Sequence, residues 1–157
     1  MRLACAMIAA PLALVLSAAA WAEPARTYQL DPFTQATAGY AGCPEVPPPL
    51  LDEQEMRTQA HSRAERGTSC CLAGTCPCGG AYSKDADINA AVAAAIAADA
   101  RLDGSSVWVT TTRHFVTLQG CVRSAQQKRW LEQRVRSVAG VELVWNETTV
   151  GTRAKPR

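Results

Sequence analysis

The chain has 157 residues, 48% hydrophobic and 19% charged, with sixteen Lys and Arg against fourteen Asp and Glu, and seven cysteines. That length suits one small domain plus a flanking segment, and beyond the N-terminal stretch no apolar run is long enough to cross a bilayer. Charge is nearly balanced but uneven: residues 23–112 hold six basic and eleven acidic side chains, residues 113–157 nine basic and three acidic. A basic C-terminal part suits an anionic lipid surface or another polyanion, and charge alone does not choose between them.

Residues 1–22 read as a signal peptide. Arg2 supplies the positive start, Ile8–Ala20 is an apolar run short for a membrane span, and Ala20-Trp21-Ala22 offers a small-x-small cleavage site. A retained anchor is the alternative that this length disfavours. No cysteine follows the run directly, so lipid attachment there is not expected. Export to an oxidising space follows, periplasmic for a bacterial protein, with a mature chain of 135 residues that is soluble or peripheral to a membrane.

Residues 23–82 read as a Pro/Cys-rich tether with disulfides. Pro24, Pro32, Pro44 and Pro47–Pro49 rule out a long helix up to residue 49 and favour extended chain. Leu50 to Arg66 is polar and helix-permissive, and Gly67 to Gly80 is a cysteine-rich, glycine-rich loop.

Residues 83–150 form the one segment with clear periodicity. Ile88, Val92 and Ile96 recur every four residues, a helical stripe on an alanine-rich stretch. Ser83 or Asp85 can accept from its first-turn amides. Two β-branched runs, 107–112 and 115–122, are separated only by Arg113 and His114 and predict a hairpin. A second amphipathic helix follows, with Ser124 and Gln127 at capping-box spacing, a buried stripe of Leu131, Val135 and Val138, and Gly140 placed to end it. The run from Val141 is the last strand, and residues 151–157 form a basic tail. The expected fold is α+β, in the order αββαβ: a three-stranded sheet with two helices on one face, preceded by a cysteine-rich extended segment.

This order, with Asp85, Leu118-Gln119-Gly120, Val122, Gly140-Val141, Val144 and Asn146 where they stand, resembles the BON domain (bacterial OsmY and nodulation domain). The resemblance implies a non-enzymatic module associated with phospholipid binding in the bacterial envelope, with a part in envelope maintenance or stress. It covers less than half of the chain, as one unit without an internal repeat. A glycine usually marks the hairpin turn of the family; here Thr112-Arg113-His114 occupies it, a departure from the family pattern.

Strand alternation assigns the faces. Val107, Val109, Val116, Leu118 and Val122 point to the helices, while Trp108, Phe115, Thr117, Cys121 and Trp145 fall on the opposite face. A sheet covered on one side leaves that aromatic face to water or a partner. A protein-interaction module using Trp108, Phe115 and Trp145, or the cysteine loop, is therefore a second reading. The second helix offers the candidate lipid surface: Arg123, Lys128, Arg129, Arg134 and Arg136 surround Trp130, which lies beside the apolar stripe. A tryptophan flanked by cations suits the headgroup zone; the plainer alternative is that Trp130 closes the core edge and the cations only solvate the helix.

The mature chain has six cysteines: Cys43, Cys70, Cys71, Cys76, Cys78 and Cys121. In an exported protein an even count reads first as a disulfide framework, the adjacent Cys70 and Cys71 taking different partners. A bond from an N-terminal cysteine to Cys121 would draw the cysteine loop across the aromatic face. Metal binding by Cys70, Cys71, Cys76 and Cys78 is an alternative with an atypical ligand spacing, and thiol exchange at Cys76-Pro77-Cys78 another. His61 and His114 are solitary, Asp85, Asp87, Asp99 and Asp103 read as caps and turn residues, and no catalytic signature appears, so no enzyme and no cofactor are expected. Asn146-Glu147-Thr148 fits a glycosylation acceptor by chance within a strand. The expected partner is an anionic phospholipid surface or an envelope protein; export removes nucleic acid.

Overall fold

The computed structural model describes residues 23–152 apart from 77 and 79. The signal peptide read at residues 1–22 and the basic residues 153–157 lie outside the described part. In chain order the elements are β1 (Phe33–Ala38), α1 (Glu53–Leu72), α2 (Asp85–Ala97), a 3-10 turn (Ala100–Leu102), β2 (Ser106–Thr112), β3 (Phe115–Val122), α3 (Ala125–Arg136), β4 (Leu143–Asn146) and β5 (Thr149–Val150).

The expected αββαβ unit is present from α2 onward. The β2–β3 pairing is antiparallel and in register from Ser106 opposite Cys121 to Thr112 opposite Phe115. Strand β4 returns parallel to β3, as a strand reached through a crossover helix must. One core joins the layers. Ile88, Val92 and Ile96 of α2 and Leu131 and Val135 of α3 meet Val107, Val109, Val116, Leu118, Val122 and Val144 of the sheet. Alternation thus sorted the helix-facing side correctly.

The sheet is wider than three strands. Its order is β1-β2-β3-β4, and the short β5 pairs with β3 beyond the end of β4. Strand β1 comes from the segment read as a tether and joins antiparallel to the free side of β2, with an irregularity between Gln35 and Thr37. Its sequence, Phe-Thr-Gln-Ala-Thr-Ala after Pro32, carries no period-2 apolar signal, because it gains its place by hydrogen bonds more than by burial.

The same segment also holds the 20-residue α1, longer than the helix-permissive stretch suggested and running into the cysteines. A capping box starts it: Asp52 accepts from the Glu55 amide at 2.8 Å, and Glu55 accepts from the Asp52 amide at 3.1 Å. Helix α1 is tied to its surroundings by side-chain polar contacts. Arg63 pairs with Asp31 at 2.8 Å and stacks over the Tyr82 ring at 4.3 Å, while Arg26 pairs with Glu55 at 2.9 Å.

Two helix ends differ from expectation. Lys84 is the N-cap of α2 and makes no side-chain cap, because the Asp85 carboxylate is turned to the hairpin instead. Helix α3 starts as read, Ser124 accepting from the Gln127 amide at 3.1 Å, but it ends at Arg136 with Ser137 as C-cap. Gly140 follows in the loop with φ +88°, where an added Cβ would press on Ile88 at 3.1 Å.

Candidate functional site

The aromatic side of the sheet divides into a covered and an open half. Trp108 is only 6% exposed, whereas Trp145 is 51% exposed. Phe115 lies edge-on to Trp145, ring centroids 5.7 Å apart at 73°, and the Arg113 guanidinium sits 5.9 Å over Phe115. The covered half is where the leading segment is fixed. Cys43 is bonded to Cys121, the Tyr40 amide donates to Ser106 Oγ at 3.0 Å, and Cys121 is itself buried.

A bond from the N-terminal segment to Cys121 therefore exists, but it draws in the Tyr40–Cys43 turn and not the later cysteine loop. That loop is closed on itself by Cys70–Cys76 and Cys71–Cys78. The adjacent pair does take different partners. All four cysteines weighed as metal ligands are spent in these bridges, and among the described residues no His, Cys, Asp and Glu group is arranged to hold a metal ion.

The cations of α3 point in three directions. Lys128 is half-buried, its Nζ donating to the Thr148 carbonyl between β4 and β5. Arg134 reaches across to the Ala95 carbonyl of α2 at 3.2 Å. Arg129 and Arg136 face solvent, Arg136 paired with Glu132 at 2.8 Å and Arg129 bonded to Gln126. Arg123, ahead of the helix, donates from Nε to the Gly104 carbonyl at 3.1 Å. Trp130 is partly buried against the core, with the Arg101 guanidinium 5.9 Å from its ring. The six residues thus do not form one cluster: Arg129 and Arg136 share an outer face, while Lys128 and Arg134 hold the domain together.

Residues 84–152, from the start of α2 to just past β5, match the family model of the BON domain. This part of the chain is similar to a BON domain, and residues 84–152 carry that label. No curated protein and no solved structure matches the chain. BON domains are non-catalytic, binding-type modules associated with phospholipid and the envelope. Strand β1 and Cys43 lie outside the match, so this chain adds its own strand to the β2 edge of the BON sheet.

Three buried polar side chains organise the BON domain, and none of these roles was predicted. Asp85, at the start of α2, accepts from the Arg113 and His114 amides at 2.7 and 2.8 Å. Asn89 donates to the carbonyls of Pro32 and Val109 and to Thr111 Oγ1, and accepts from Thr34 Oγ1 at 2.6 Å. Gln127 donates to the Arg101 and Asp103 carbonyls and accepts from the Arg123 amide at 2.7 Å. Buried polar groups need partners, so a polar residue on a helix's apolar stripe was the available signal: Asn89 directly follows Ile88, and Asp85 lies one turn before Asn89. Of the histidines, His61 pairs with Glu65 in α1 at 3.1 Å, and His114 contacts Glu142 at 3.2 Å. The Arg101 guanidinium, hydrogen-bonded to Asp99, holds its carboxyl below the ordinary carboxylate range.

Proposed function

We propose that this is a non-enzymatic periplasmic protein whose BON domain contacts anionic phospholipid or another component of the cell envelope, in envelope maintenance or stress. The BON match carries the reading. The uneven charge supports it, since nine of the fifteen basic residues after the signal segment lie from residue 113 onward. Export through the segment at residues 1–22 belongs to the same reading, and the three disulfides suit an oxidising compartment.

Arg123, Arg129 and Arg136 are the exposed cations of the α3 region. Each cation at an anionic surface contributes on the order of 1 kcal/mol, so three give weak, salt-sensitive attachment. Sedimentation with vesicles rich in phosphatidylglycerol tests this: binding is expected at low salt and lost at several hundred millimolar salt. Failure to pellet with anionic vesicles at low salt overturns the lipid reading.

The exposed Trp145 favours a second reading, an envelope protein docked on the open half of the sheet. A tryptophan half out of the sheet beside Phe115 and Arg113 has the composition of an interface anchor. Trp145→Ala would then abolish capture of that partner and leave vesicle pelleting unchanged.

A further inference from the structure

Where the leading segment meets the BON domain, an open cavity of about 330 Å³ is lined by Tyr40, Ala41, Gly104 and Arg123. Only Gly104 and Arg123 come from the BON domain. Two close contacts build it. A Cβ on Gly39 would fall 2.9 Å from the Gly104 Cα, and one on Gly104 would fall 2.2–2.3 Å from the Arg123 guanidinium. With φ +70° and no side chain, Gly104 lets that guanidinium lie flat against the backbone. Nε of Arg123 is fixed on the Gly104 carbonyl, and among the described residues its two Nη groups donate to no partner.

The facing wall is equally fixed. The Cys43 amide donates to the Tyr40 carbonyl at 3.2 Å, closing a β-turn in which Gly42 has φ +75°. The turn's far end is bonded to Cys121, and Ser106 Oγ holds Tyr40 from below. The Tyr40 hydroxyl lies near Gly151 and has no hydrogen-bond partner among the described residues. A guanidinium with one edge pinned and the other free is a planar fork of donors matched to a phosphate, and Tyr40, which lines the same cavity, carries a further donor.

We propose that this cavity is a phosphate-group site in which Arg123 binds two oxygens and the Tyr40 hydroxyl a third. The inference deepens the envelope-lipid reading, since the phosphate could belong to a lipid headgroup or to a free phosphate ester. Half of the site is contributed from outside the BON domain, so it is a property of this chain and not of the module.

The test is titration of the oxidised protein with inorganic phosphate and with glycerol phosphate at constant ionic strength, followed by NMR at the Arg123 Nε–H, Gly104 and Tyr40 signals. Saturable shifts confined to these residues are expected. Arg123→Gln should weaken binding about tenfold or more, Arg123→Lys nearly as much because the fork is lost, and Tyr40→Phe about threefold. Arg123 is exposed, so these variants are checked as folded by their unchanged remaining spectra. Absence of a saturable shift at the three residues overturns the proposal, and so does an unchanged affinity in Arg123→Gln or Tyr40→Phe.

Vesicle sedimentation separates the two sources. Loss of phosphatidylglycerol binding in Arg123→Gln assigns the site to headgroups. Unchanged vesicle binding with lost phosphate binding assigns it to free phosphate esters. Both uphold the site. A protein that pellets with vesicles but shows no phosphate-dependent shift at Arg123 overturns the site and leaves the lipid reading standing.

Discussion

The hairpin turn shows how one residue makes an unfavourable backbone tolerable. Arg113 and His114 have φ of +55° and +66°, the left-handed pair that a two-residue turn demands and that Asn-Gly supplies without strain. For other residues that conformation costs about 1–2 kcal/mol each. Two hydrogen bonds to one carboxylate contribute about 1.5–3 kcal/mol each, so the Asp85 bonds to both turn amides offset the strain. Asp85→Ala is therefore expected to lower stability by about 3 kcal/mol or more in urea unfolding. The double change of Arg113→Asn with His114→Gly should raise it by about 1 kcal/mol; unchanged or lower stability would show that the turn carries no strain. At Asp99, acid dependence follows from the Arg101 contact. Its carboxyl titrates below the ordinary carboxylate range in the folded chain, so the contact's stabilisation is present above that range and lost as pH falls through the lowered folded value. Carboxyl-carbon NMR should place the Asp99 titration below that of free aspartate, and Arg101→Gln should return it.

At the scale of elements, Asn89 decides whether β1 belongs to the sheet. Its amide group contacts Pro32, Thr34, Val109 and Thr111, which spans the chain entering β1, β1 itself and β2 from a single position on α2. Asn89→Ala would leave buried acceptors unmatched and cost about 2–3 kcal/mol. Amide exchange should show β1 losing protection before β3; equal loss in both strands would contradict the anchoring role. This also marks the limit of what was legible in the sequence. Ile88, Val92 and Ile96, the valines of the hairpin, and Ser124 with Gln127 carry periodic or capping signals, and each stands where those signals placed it. Strand β1 has no such signal, because its pairing depends on a buried amide 55 residues away. The orientation of two α3 cations was illegible for a related reason. A helical pattern puts Lys128 and Arg134 on the surface, but their long side chains turn back to carbonyls of Thr148 and Ala95 that no periodicity reveals.

At the scale of the molecule, the Cys43–Cys121 bridge joins a BON domain to a leader that no local signal attaches to it. The two cysteines are 78 residues apart, and closing a loop of that size removes unfolded-chain entropy equivalent to about 4 kcal/mol. The bridge enters the sheet at Cys121, opposite Ser106 and two residues along β2 from Trp108, on the face that the two domain helices leave free. Trp108 is buried there while Trp145, farther along the same face, is not. The bridged turn is thus fixed at the buried half of this face, and the half around Trp145 is the exposed one. In a Trp145→Phe background, Trp108 fluorescence should resist acrylamide in the oxidised protein and become quenchable in the Cys43→Ser, Cys121→Ser double variant. Stability should fall by about 3–4 kcal/mol, the loop-entropy value reduced by structure remaining in the unfolded chain. Persistent shielding of Trp108 without the bridge would mean that β1 and the sheet bury it alone, and the division of the face would then belong to the strand order and not to the disulfide.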